Sequence, residues 1–215
     1  MEKKEIYIHS GIHKTGSTAI QKDLLKHDYK DVKILIKSSN NTDPNSITDK
    51  ILYYLKYPEK TLENKIKQMI NEISQKKIII SNEGLFGHQG NGFVDVKKRF
   101  DLMENLFDDP KYIIFFREPS GVLSSWYNFS IRKDIDVDFM SYCTTDINLL
   151  YKIIPKDNRV GTNYKIYNYN EIFKPYLNII TRVLFLEYES FFSKYNDSEY
   201  KKLSLFLGVD LKNKV

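Results

Sequence analysis

At 215 residues, with 33 Lys and Arg against 28 Asp and Glu, the chain carries a net charge of +5 and is long enough for one domain whose core needs no disulfide or metal staple. A 41% hydrophobic fraction with sixteen Tyr and thirteen Phe excludes an intrinsically disordered chain. The lone cysteine, Cys143, excludes an intrachain disulfide and a cysteine-built zinc site, and it suits a reducing compartment. Met1 to Glu5 are mostly charged and run directly into Ile6-Tyr7-Ile8, and no apolar run reaches the roughly 20 residues of a membrane span. The expectation is a cytoplasmic protein with no secretory leader and no stable membrane insertion. The positive balance favours an anionic partner, but the lysines are scattered, so charge alone does not separate a nucleotide, a glycan, a nucleic acid or a simply solvated surface.

The first predicted element is a strand over Ile6 to His9, and it feeds Ser10-Gly11-Ile12-His13-Lys14-Thr15-Gly16-Ser17-Thr18. Ile20, Leu24 and Leu25 have helical spacing, which starts a helix at about Ser17. A strand, a loop with two glycines and a helix start aim free backbone N–H groups and the positive end of the helix dipole at one place, which makes an anion site. Gly11 and Gly16 let the backbone curl closely around the anion, Lys14 adds a mobile charge, and Ser17 and Thr18 can donate hydroxyls. In the phosphate loop of nucleoside triphosphatases, G-x-x-x-x-G-K-[ST], a lysine follows the second glycine and the next hydroxyl holds Mg²⁺. Here Ser17 stands at that lysine's place, and no apolar strand ends in the Asp that would complete a magnesium site. No metal is implied. The same residues could also serve only as turn and capping chemistry.

A second strand is predicted over Val32 to Ile36, followed by a loop from Ser38 to Ser46, then a helix on the spacing of Leu62, Ile66, Met69, Ile70 and Ile73. The third strand, Lys77 to Ser81, runs into Asn82-Glu83-Gly84 and puts Glu83 at the same sheet edge as the loop. Its alternatives are a proton-accepting carboxylate or an exposed turn residue. The glycine-rich stretch from Gly84 to Gly92 carries His88, the other candidate base. His9 on a strand and His27 on a helix read as structural. A helix over Phe100, Met103, Leu106 and Phe107 leads to a fourth strand, Tyr112 to Phe116, and then at once to Arg117-Glu118-Pro119. Pro119 belongs in a first helical turn. An arginine at the carboxyl end of a central strand lies where open α/β sheets bind ligands, and its planar fork suits a phosphate. Ser125 follows on the next helix, with Trp126 and Tyr127. The alternative for Arg117 is an ion pair with Glu118 or Asp109. From Asp134 to Lys165 the pattern is irregular, and Arg182 to Leu186 closes the list of strands. Strands alternating with helices imply an α/β three-layer sandwich around a central parallel sheet, spanning residues 1–215 as one domain.

The H-K-T-G-S-T run at residues 13–18 resembles the 5′-phosphosulfate loop of the sulfotransferase superfamily, in which K-[ST]-G-[ST]-[ST] follows the first strand. Arg117, Pro119 and Ser125, as R-x-P-x5-S with aromatics behind, resemble the 3′-phosphate element of that superfamily, and Val183 to Glu189 with Leu203 to Val209 resemble its last strand and helix. The resemblance implies a P-loop-like sulfotransferase fold with 3′-phosphoadenosine 5′-phosphosulfate as co-substrate. Gly11, His13, Lys14, Thr15, Gly16, Ser17 and Thr18 would hold the 5′ end, Arg117 and Ser125 the 3′-phosphate, and Lys14 would serve the leaving group. S-x-E after the third strand is similar to the carbohydrate-modifying and bacterial branch, where the glutamate is the base, so Glu83 takes that role here with His88 as alternative. Ala19-Ile20 stand where the phenol and steroid branch has a Trp. The implied acceptor is a hydroxyl of a glycan or lipid-linked sugar. The other readings are a P-loop kinase with a displaced lysine and a basic nucleic-acid binder, the latter without a recognisable module.

Overall fold

The computed structural model describes residues 3–25, 30–36, 46–87, 92–132, 138–144, 167–193 and 197–211. Five strands form the sheet: β1 (Glu5–Gly11), β2 (Val32–Ile36), β3 (Lys77–Ser81), β4 (Lys111–Phe116) and β5 (Val183–Glu187). All pair in parallel in the order β2-β3-β1-β4-β5. The apolar runs are continuous rather than alternating because both faces of a parallel sheet are covered. β1 is buried from Ile6 to Gly11, while the edge strand β2 leaves Lys33 in water.

The helices are α1 (Ser17–Leu25), α2 (Ile47–Lys56), α3 (Lys60–Glu72), α4 (Val96–Leu106), α5 (Pro119–Ile131), α6 (Phe139–Thr144), α7 (Tyr169–Leu177), α8 (Tyr188–Phe191) and α9 (Asp197–Leu207). They build two separate cores, which is what makes three layers. On one face Ile6, Ile8, Ile78, Ile80, Tyr112 and Ile114 pack against α2, α3, α4 and α7 through residues such as Ile51, Ile66, Phe100 and Tyr176. On the other, Tyr7, Ile79, Ile113 and Phe115 meet Ile20, Phe191, Leu203 and Leu207. Adjacent strand residues thus feed opposite cores. None of the described helices is long and apolar enough to cross a membrane.

The predicted strands are all present. Two details differ. β1 extends to Gly11, so the first loop glycine is itself paired with β4, opposite Phe115. The fifth strand starts at Val183, because Arg182 ends a 3₁₀ turn (Ile180–Arg182) and reaches across to Glu104 at 2.7 Å. Of the helices that the sequence reading did not name, α2, α6 and α7 contribute to one core. α2 carries a legible start signal: Ser46 accepts a hydrogen bond from the Asp49 N–H at 3.2 Å, and Ile51, Tyr54 and Leu55 fall on one face.

Candidate active site

In this strand order β1 lies between β3 and β4, and the chain leaves β1 toward β2 but leaves the neighbouring β4 toward β5, so the two connections diverge to opposite halves of the sheet. The crevice they leave is the usual ligand site of open α/β sheets. The loop after β1, Glu83 after β3, Arg117 after β4 and α8 after β5 all open on it.

The loop is held from beneath. Ile12 donates its backbone N–H to the Phe115 carbonyl at 3.1 Å, and the buried Thr15 hydroxyl donates to the Ile12 carbonyl at 2.6 Å. Gly11 takes φ 149° and lies so close to β4 that a Cβ would sit 2.3 Å from the Phe115 oxygen. Gly16 takes φ 76° under the rings of Phe192 and Tyr188, and its carbonyl accepts the first helical bonds of α1, from Ala19 and Ile20. From His13 to Thr18 no backbone N–H finds a backbone acceptor among the described residues. These donors and the positive end of α1 make a concavity chemically suited to an anion. Lys14 itself adopts a left-handed backbone, φ 67°, an uncommon state for a residue with a Cβ and one found where function imposes strain. Its ammonium lies 4.5 Å from the ring centre of Trp126 and 4.2 Å from that of Phe129, both on α5. Burial lowers the Lys14 pKa, against the pull of nearby Glu83 and with help from Arg132.

Glu83 opens a 3₁₀ turn (Glu83–Leu85) capped by Asn82, whose side chain accepts from the Gly84 N–H at 2.7 Å. Each of its carboxylate oxygens meets the loop. Ser17 donates its hydroxyl to Oε2 at 2.9 Å, and His13 Nδ1 lies 3.3 Å from Oε1. Burial pushes the Glu83 carboxyl up, but hydrogen bonds and charge from His13, Ser17 and Lys14 outweigh it and leave the group below its ordinary value. The turn is braced by Arg99, which donates to the Gly84 carbonyl at 2.6 Å and pairs with Asp95. Beneath it His9 is buried, with Nδ1 2.6 Å from the Ser81 hydroxyl, and desolvation lowers its pKa to about 4. His9 is a core residue, as its strand position implied.

Arg117 leaves β4 into a slot between α5 and α8. Its guanidinium lies 4.3 Å from the Tyr188 ring centre, and a Cβ on Gly121 would meet its Nε at 2.8 Å. Nε donates to Glu189 at 3.1 Å and Nη1 to the Lys14 carbonyl at 3.4 Å. Its backbone carbonyl accepts from the Tyr169 hydroxyl. Its ion-pair partner is thus Glu189, not the Glu118 or Asp109 considered from sequence. Ser125 lies four residues beyond Gly121 and hence on the helix stripe that faces Arg117.

The structure therefore gathers Gly11, His13, Lys14, Thr15, Gly16, Ser17, Glu83 and Arg117 at one edge. Thr15 turns its hydroxyl inward and offers only its backbone, while Thr18 is exposed on the first turn of α1. His88 lies outside the described residues. Sequence reasoning gave no role to Glu189, Tyr188, Trp126 or Phe129. The available signal was that an arginine at a sheet edge needs a counter-ion, and Glu187 and Glu189 follow the neighbouring strand. No cluster of three or more His, Cys, Asp or Glu positioned to hold a metal occurs among the described residues.

Neither a family model nor a curated protein matches the sequence. Solved structures do. A sulfotransferase from Alicyclobacillus acidocaldarius superposes with a TM-score of 0.64 at 16% identity, over 99% of this chain and 84% of that one. Mouse sulfotransferase SULT7A1 complexed with PAP gives 0.48 at 14% identity, over 99% of this chain and 61% of that one. The sulfotransferase domain from the curacin biosynthetic pathway gives 0.48 at 14%, over 98% and 75%. The first of these likenesses is a likeness of fold.

Proposed function

We propose that this chain, which has the fold of a sulfotransferase, works as a single domain that transfers a sulfuryl group from 3′-phosphoadenosine 5′-phosphosulfate to an acceptor hydroxyl. The observation that carries the reading is the loop at residues 11–18, whose backbone donors beyond Ile12 are open, with a carboxylate, Glu83, held directly across it. An anion bound by the donors and a hydroxyl brought in on the Glu83 side of the loop would be neighbours, the proximity that group transfer needs. Gly11, His13, Lys14, Thr15, Gly16, Ser17 and Thr18 would receive the 5′-phosphosulfate, and Lys14 would meet the charge that accumulates on the departing phosphate. Arg117 and Ser125 would take the 3′-phosphate. Acceptance of the acceptor proton depends on Glu83. The S-x-E pattern after β3 supports a carbohydrate hydroxyl, on a glycan or a lipid-linked sugar, as the acceptor. The lone cysteine suits a cytoplasmic setting.

A thermal-shift panel tests the reading. Adenosine 3′,5′-bisphosphate at about a hundred times its dissociation constant should stabilise the fold by about 2.7 kcal/mol without added metal. ATP with Mg²⁺ or a single-stranded oligonucleotide should do much less. Stabilisation chiefly by ATP with Mg²⁺ would favour a kinase, and stabilisation chiefly by the oligonucleotide would favour a nucleic-acid-binding role.

A further inference from the structure

We infer that His13 Nε2 is the atom that takes the acceptor proton, and that Glu83 is the positioning carboxylate behind it. The inference rests on the sulfuryl-transfer reading and changes the assignment of one step. Both Glu83 oxygens face the loop: Oε2 accepts from the Ser17 hydroxyl at 2.9 Å, and Oε1 lies 3.3 Å from His13 Nδ1, within ion-pair reach. A carboxylate only accepts, so Nδ1 carries the hydrogen of the neutral ring and Nε2 keeps its lone pair. A carboxylate against one ring nitrogen with the other nitrogen left for substrate is the arrangement that makes a histidine an oriented general base.

The surroundings hold the ring in that pose. His13 belongs to the anion loop itself, between Ile12, whose N–H is tied to β4, and Lys14. Its ring centre lies 6.0 Å from that of Trp126, and its side chain is 21% exposed, enough to meet a substrate. Among the described residues, Lys14 and the buried His9 are the charged and titratable neighbours that interact with Glu83, and Arg132 in turn acts on Lys14. The depressed carboxyl of Glu83 agrees with the division of labour, since a carboxylate stabilised in its charged form is a weak proton acceptor but a good partner for an imidazolium.

In the step, the acceptor oxygen forms a bond to sulfur as the bond from sulfur to the bridging phosphate oxygen breaks. The bonding pair stays on that oxygen, giving adenosine 3′,5′-bisphosphate. The hydroxyl proton moves to Nε2, and the resulting imidazolium is paired with Glu83 until it releases the proton to water.

The test combines two readouts. Long-range ¹H–¹⁵N spectra resolve the ring nitrogens of the four histidines, and a His13→Asn variant assigns His13. The neutral His13 ring should be protonated at Nδ1, and Glu83→Gln should shift it toward the Nε2–H form. Kinetically, His13→Asn keeps a donor near Glu83 but has no base at Nε2. Bisphosphate release from the phosphosulfate donor, with water as acceptor, should fall about 10²- to 10⁴-fold, well beyond any accompanying loss of bisphosphate affinity, since His13 is one of seven loop residues at the 5′ end. Imidazole added to His13→Ala should restore turnover at least about tenfold, and should restore none to Lys14→Ala. Normal turnover in His13→Asn, or a neutral ring protonated at Nε2 in the unmodified protein, overturns the inference. If the bisphosphate binds and the tautomer is wrong, only His13 loses its role. If the bisphosphate does not bind at all, the sulfuryl-transfer reading fails with it.

Discussion

Lys14 spends backbone strain to put its ammonium where it is. A left-handed residue with a Cβ costs about 1–2 kcal/mol relative to glycine, and φ at Lys14 is 67°. Two variants that both remove the side chain separate strain from charge. Lys14→Gly should be about 1 kcal/mol more stable than Lys14→Ala in urea unfolding, because only the alanine keeps the strained geometry. Both should lose sulfuryl transfer while holding most of their affinity for the product nucleotide, since a charge that meets the leaving group matters most in the transition state. Full activity in Lys14→Ala would remove the side chain from the mechanism.

Arg117 makes a different prediction at the same scale. Its guanidinium is fixed by Tyr188, Gly121 and Glu189, so the fork is pre-oriented before any ligand arrives. Arg117→Ala should weaken adenosine 3′,5′-bisphosphate at least about tenfold while changing adenosine 5′-phosphate little, the loss expected for a charge-assisted contact. Isothermal titration with the two nucleotides decides it, and equal weakening of both would make Arg117 a structural residue.

At the scale of elements, the anion loop is a joint between β1, β4 and α1, and its two glycines meet different neighbours. An added Cβ at Gly11 would strike the backbone oxygen of Phe115 at 2.3 Å, and the paired β4 strand cannot move aside. At Gly16 it would strike the Phe192 ring at 2.6 Å, which can rotate away. Gly16→Ala should therefore cost about 1–2 kcal/mol, mostly from its positive φ. Gly11→Ala should cost about 3 kcal/mol or more, because overpacking adds to the strain. Urea midpoints at constant slope measure both, and equal costs would mean that β4 yields after all.

For the whole molecule, the buried His9 sets a pH dependence. Its folded pKa is about 4 against an ordinary 6.5, so the unfolded chain binds the proton first as pH falls. Stability is therefore fully present above about pH 6.5 and declines toward pH 4, by about 3 kcal/mol from this residue alone. Glu83 has a depressed folded pKa too, and its contribution is present above the ordinary carboxyl range and lost at still lower pH. His9→Gln should flatten the curve between pH 6.5 and 4 in equilibrium unfolding. An unchanged slope would show that His9 is not its source.

The strands were legible in the amino-acid sequence because a buried parallel strand is a short continuous apolar run, and Lys77-Ile78-Ile79-Ile80-Ser81 can be little else. The anion loop was legible for a related reason: backbone donors, glycines and a helix start are local, and residues 11–18 carry all three. So was the position of Arg117, since the residue after a strand inherits the strand's end. What the chain could not state by itself is which side chains from distant segments meet. Ser17 and Glu83 are 66 residues apart, and Arg117 and Glu189 are 72 apart. Their meeting depends on β1 being inserted between β3 and β4, and on β5 docking beside β4. From sequence His13 is only one of the residues around the 5′ end, because nothing near it in sequence orients a ring. The tertiary structure adds a carboxylate from the end of another strand beside its Nδ1. Local chemistry sets what each segment can do, and the order of strands in the sheet sets which segments act together.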